Sequence, residues 1–74
     1  MKSIEEIFSN VFGVKMREMN DNISYIDYEP WDSVRHMRII ADIEEKYDVE
    51  FDMDDIIAME TIKKAKEILK KYLD

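Results

Sequence analysis

The chain has one glycine, Gly13, and one proline, Pro30, in 74 residues. Sheet proteins turn tightly and often, and they draw on Gly, Asn-Gly and Pro to do so. Such sparse punctuation therefore points to helices joined by few connections. The apolar spacing agrees. Ile4, Ile7, Phe8, Val11 and Phe12 fall at i, i+3, i+4, i+7 and i+8, the buried stripe of a helix over 4–12. Ser3 followed by Glu6 makes a capping box at its start, and Gly13 stands where a left-handed C-cap ends it.

Residues 14–31 mix apolar and polar types, and Asn20, Asp21, Asn22, Ser24 and Asp27 offer local bonds that compete with regular structure. The segment reads as a long loop pinned by Val14, Met19, Ile23 and Tyr25. Pro30 disfavours helical geometry at Glu29, so a second helix is predicted after it, with Asp32 as N-cap. From Val34, the residues Met37, Ile40, Ala41, Ile43 and Tyr47 keep a helical period through about Lys46. Asp52, Asp54 and Asp55 lead into Ile56, Ile57 and Met59, which predicts a short third helix of about a turn and a half. Thr61 caps a last helix with Ile62, Ala65, Ile68, Leu69 and Tyr72 on one side and Lys63, Lys64, Lys66, Lys70 and Lys71 on the other. The expected fold is all-α, a small four-helix bundle with three longer helices and one short third helix.

A chain of this length makes one domain, taken as 1–74, and buries roughly 60% of the surface its unfolded form exposes, which leaves no depth for a walled cleft. The absence of Cys removes disulfides and thiolate nucleophiles, and a lone His removes an all-His metal cluster. The net charge of −7 argues against binding a nucleic-acid backbone. Residues 27–60 hold 3 basic and 12 acidic side chains, a local charge of −9, whereas 61–74 hold 5 basic and 2 acidic. Acid concentrated around the second helix predicts a docking face for basic partner proteins. No basic leader followed by an apolar stretch is present, and no apolar run approaches the roughly 20 residues of a membrane span. A stand-alone, cytoplasmic monomer is expected.

The informative run is Pro30-Trp31-Asp32-Ser33-Val34, which presents a Ser to solvent at the first turn of an amphipathic helix. A phosphate carried there would lie beside unpaired backbone N–H groups and the positive end of the helix dipole. An Asp-Ser pair alone is more simply a cap. His36 stands three residues on, but no orienting third group or oxyanion site makes it a catalytic base. Asp52, Asp54 and Asp55 lack the glycine and the bidentate Glu of a calcium loop, so no metal site is expected. The scattered methionines read as core filler.

The whole layout decides between cap and attachment site. Phe12-Gly13-Val14-Lys15 ends the first helix, Asp32-Ser33-Val34 opens the second and Glu44-Glu45-Lys46-Tyr47 closes it. Phe51-Asp52 precedes the short helix and Thr61-Ile62 opens the last. Together these resemble the acyl carrier protein family over essentially the whole chain. The resemblance implies a carrier with no catalysis of its own. Ser33 would hold 4′-phosphopantetheine, installed from coenzyme A by a phosphopantetheinyl transferase, and acyl groups would ride as thioesters on the arm's sulfur. It implies that Asp32 helps the transferase engage. Val34, Met37, Ala41, Glu44 and Glu45 would face partners, namely acyl or aminoacyl ligases and transferases with basic docking surfaces.

The chain departs from the family pattern at Val34, where Leu is usual, and at Pro30, where Gly is frequent. Arg35 and Arg38 make the start of the second helix locally basic where fatty-acid carriers are commonly acidic. These departures imply a carrier of a specialised biosynthetic pathway, with Arg35 and Arg38 choosing the partner. Trp31 either braces the loop against the second helix, the favoured reading, or joins a docking surface. Two other readings stand beside this one: an aminoacyl or peptidyl carrier using the same Ser33, and an unmodified acidic helical interaction module in which Ser33 is only a cap.

Overall fold

A computed structural model describes residues 4–73. Its elements are α1 (Ile4–Phe12), a 3-10 turn (Met16–Glu18), α2 (Ser33–Tyr47), α3 (Met53–Ala58) and α4 (Ile62–Leu73). The all-α, four-helix expectation holds, with α3 the short member. Among the described residues no strand forms, and the nearest approach to one is an isolated antiparallel bridge between Ser24 and Thr61. No helix among them is long and apolar enough to cross a membrane.

Helix α1 buries Ile4, Ile7, Phe8 and Phe12 and packs against both α2 and α4. The expected capping box rests on Ser3, which lies outside the described residues. At its other end Gly13 adopts φ +73°, the left-handed conformation that an L side chain resists. The N–H groups of Gly13 and Val14 then both reach the Ser9 carbonyl, at 2.9 and 3.0 Å, which closes the helix. Ser9 is itself buried, and its hydroxyl donates to the Glu6 carbonyl at 2.9 Å.

The long connection is better ordered than loop chemistry alone suggested. Met19 is buried, Val14 and Ile23 are half-buried, and the segment 21–25 runs antiparallel to the start of α4. Tyr25 N–H reaches Glu60 O at 2.8 Å, and Ile62 N–H reaches Ile23 O at 3.2 Å. Lys66 extends from α4 to pair with both Glu5 of α1 and Asp21 of the loop, tying three parts of the chain together. Those two carboxylates hold the Lys66 ammonium above its ordinary range. Tyr25 corrects the expectation of a core pin. It is 39% exposed, and the loop's inward aromatic is Tyr28, packed on Phe12 at 5.0 Å.

Helix α2 carries two stripes. Ile39, Ile40 and Ile43 are its buried face, while Val34, Met37 and Ala41 lie exposed on the opposite side. The single apolar period read from the sequence merged the two and missed Ile39. The helix stops at Asp48, which takes φ 55° and donates its N–H to Glu44 O, a left-handed cap supplied without glycine.

Helix α3 contains no fully buried residue; Ile56 and Ala58 pack half-buried against the core, and polar ties add to that seating. The Tyr72 hydroxyl donates to Asp55 at 2.5 Å, accepts Asp52 N–H at 3.0 Å, and its ring meets Phe51 edge-on. Thr61 caps α4 as expected, its Oγ1 accepting Lys64 N–H at 2.9 Å.

Candidate attachment site

Ser33 is the first residue of α2 and is exposed. Its place follows from the residues before it. Pro30 holds the chain out of helical geometry, Trp31 anchors it in the core, and Asp32 takes an extended conformation with φ −110°. One carboxylate oxygen of Asp32 accepts Arg35 N–H at 2.8 Å, and the other accepts the Arg35 guanidinium at 3.0 Å. Asp32 is therefore the N-cap and Ser33 is not. Among the described residues the Ser33 hydroxyl makes no hydrogen bond, which leaves it available as a nucleophile toward an incoming group. The Arg35 N–H bond and then the guanidinium keep the Asp32 carboxyl below the usual carboxylate range, so it stays charged at neutral pH.

The surroundings suit a phosphodiester. Amides of the first helical turn have no carbonyl of their own helix to bond, and they carry the positive end of the dipole. An anion on Ser33 Oγ would sit there, with the Arg35 guanidinium beside it balancing Asp32. Two tethered groups, a negative phosphodiester and Asp32, would otherwise repel at close range.

Of the two readings of Trp31, the favoured brace holds and the docking residue is corrected. It is 3% exposed and sits among Phe8, Phe12 and Tyr25 at centroid distances of 5.0, 5.8 and 5.9 Å. Its indole N–H donates to His36 Nδ1 at 3.0 Å. It is the brace that fixes where α2 begins. Glu44 is also turned inward, half-buried, with its carboxylate accepting Phe51 N–H at 2.9 Å, so it serves the α2–α3 connection more than an outer face.

The other expected partner residues lie on the surface. Val34 is 77% exposed and Met37 52%, and Arg38, Ala41 and Glu45 share their side of α2. Arg38 makes a loose pair with Asp42 at 3.5 Å. Exposed Met53 and Ile57 on α3 and Ile26 in the loop add apolar surface that the sequence reading did not single out. Their signal was available in principle: an apolar residue on a helix that has no room for two buried faces must point outward. His36 has both ring nitrogens engaged within the chain, Nδ1 by Trp31 and Nε2 by the Ile56 carbonyl at 2.8 Å, so neither is free to act on Ser33. Among the described residues no cluster of His, Asp and Glu could hold a metal ion.

An exposed serine opening the second helix of a small four-helix bundle, capped by a preceding Asp, defines the class of carriers that bear a prosthetic arm. Residues 2–69 match the family model described as phosphopantetheine attachment site. The chain is also 30% identical over 64 residues to an acyl carrier protein of Buchnera aphidicola subsp. Schizaphis graminum (strain Sg), covering 86% of this chain and 81% of that protein. The chain belongs to the acyl carrier protein family. It is a carrier and not a catalyst, and the prosthetic group of the family is 4′-phosphopantetheine.

Proposed function

We propose that Ser33 is the attachment residue and that the chain serves as a discrete carrier in a specialised biosynthetic pathway. The observation that carries the first part is the exposed, unbonded Ser33 hydroxyl at the capped start of α2. When bound there, the phosphopantetheine group supplies the thiol that this Cys-free chain lacks. Asp32 and Arg35 fix the local backbone and balance charge around the attachment point. Val34, Met37, Arg38, Ala41 and Glu45 form the face that meets the transferase and the ligases or acyltransferases acting on the cargo, which is acyl or aminoacyl. The specialised role is supported by Arg35 and Arg38, which follow Ser33 by two and five residues on a chain whose middle segment is strongly acidic. A partner that reads this helix meets arginines paired with Asp32 and Asp42 near its start and the acid Glu45 toward its end, a pattern that a uniformly basic docking surface does not match.

The test is intact-mass analysis after incubation with coenzyme A and a broad-specificity phosphopantetheinyl transferase, followed by peptide mapping. One added phosphopantetheinyl group on Ser33 is expected. Ser33→Ala removes no capping bond, so it stays folded and takes up nothing. Loading of the Ala protein, or a folded wild type that stays unmodified beside a working control carrier, refutes the assignment and returns the chain to the unmodified interaction module.

A further inference from the structure

His36 links the segment that presents Ser33 to α3, and its hydrogen bonds dictate which ring nitrogen carries the proton. An indole N–H can only donate, so His36 Nδ1, 3.0 Å from Trp31 Nε1, carries no proton. The ring's one proton is then on Nε2, which donates to the Ile56 carbonyl 2.8 Å away. The imidazole also stacks on the indole at 26° and meets Tyr25 edge-on at 5.7 Å. It forms one wall of a cleft of about 320 Å³ between the loop, α2 and α3, shared with Ile26, Ile57 and Met59. The titratable and charged groups around the ring are Tyr25 from the loop, Glu60 at the cleft edge, and the Asp32–Arg35 pair on α2, whose two charges cancel. α3 offers the ring a backbone carbonyl.

Helix α3 has no fully buried residue and rests on half-buried Ile56 and Ala58, so such ties add to its seating. We propose that His36 is a positioning residue for the loading of Ser33: through its two hydrogen bonds it locks the start of α2 to α3. This rests on Ser33 being the attachment residue. Gln at position 36 has an acceptor for the indole and a donor for the Ile56 carbonyl. Phe keeps the stacked ring and loses both bonds.

The experiment compares His36→Gln, His36→Phe and wild type, each as the full chain, at one pH, about 8. Trp31 is the only tryptophan, so its fluorescence reports on the indole–imidazole contact directly. Loading from coenzyme A by a broad-specificity transferase is measured as kcat and KM for each protein. His36→Gln, which keeps an acceptor and a donor, should load near the wild-type rate. His36→Phe should load roughly tenfold more slowly, through KM, the factor carried by about one hydrogen bond of positioning. His36→Gln loading no better than His36→Phe, or His36→Phe loading like wild type, overturns the proposal while leaving Ser33 in place. A folded wild type that gains nothing on Ser33 overturns the attachment reading, and the positioning role with it.

Discussion

Replacing Trp31 with Phe separates its bond from its bulk. Phe retains an aromatic ring against Phe8 and Phe12, but it has no N–H for His36 and fills less of the site. The lost hydrogen bond contributes about 0.5–1.5 kcal/mol. The stranded Nδ1 is only partly buried, so its penalty falls toward the low end of the roughly 1–3 kcal/mol range for an unsatisfied group. Shrinking the ring in a site that is 3% exposed adds about 1 kcal/mol. The terms overlap, and a loss of about 2–3 kcal/mol is expected. Chains of this size have a total stability on the order of 4–11 kcal/mol, so the variant remains folded. Its midpoint falls by roughly 10–20 °C, at about 4–8 °C per kcal/mol for a domain of 60–100 residues.

The assay is urea unfolding followed by circular dichroism at 222 nm, which does not depend on the replaced indole. An unchanged m-value with a lower midpoint identifies a stability effect. A double-mutant cycle with His36→Phe should return a coupling energy of about 0.5–1.5 kcal/mol for the Trp31–His36 bond. A loss under about 0.5 kcal/mol, the level of an ordinary surface substitution, would refute the placing of Trp31 as a core brace.

Tyr72→Phe should shift acid unfolding to higher pH. The Tyr72 hydroxyl and then Lys71 hold the Asp55 carboxyl below its ordinary value. A depressed carboxyl contributes stability above its unfolded value and loses it as pH falls through the folded one, so the effect appears below about pH 4. Circular dichroism across that range should show a weaker acid limb in the Phe variant, and identical limbs would exclude the tie. Gly13→Ala meets no atom within 4 Å, so its cost is backbone strain alone, about 1 kcal/mol in urea titrations. A neutral or stabilising Ala would mean that the left-handed cap is not held in solution. Reversing Arg35 and Arg38 to Glu removes two exposed pairs that contribute about 0–1 kcal/mol each, so the melting temperature should fall by less than roughly 15 °C and the chain stays folded. Loading by the native partner enzymes should slow, chiefly through KM, and unchanged kinetics would remove the two arginines from partner choice.

Local chemistry made much of this molecule legible. The apolar stripe of α1, the left-handed Gly13, the Pro30–Asp32 start of α2 and the Thr61 cap each follow from a few neighbouring residues, because helix starts and stops are decided within about a turn. The exposed Asp32-Ser33 pair was legible for the same reason: its geometry is that of a helix N-terminus.

What needed the tertiary structure is what depends on residues distant in sequence. Apolar periodicity could not divide α2 between Ile39, Ile40 and Ile43 inside and Val34, Met37 and Ala41 outside, since both stripes obey helical spacing and the packing of α1 selects one. Glu44 looked available to partners until the fold turned it toward Phe51, and of the two readings of Trp31, brace or docking residue, only the fold chose the brace in the aromatic core. His36 lies 20 residues from Ile56, and its role comes from the closing of α3 over the start of α2. The chain's own pattern determined that a serine would stand exposed at a helix start. Only the packed fold, through bonds between residues far apart along the chain, decided what holds that start in place.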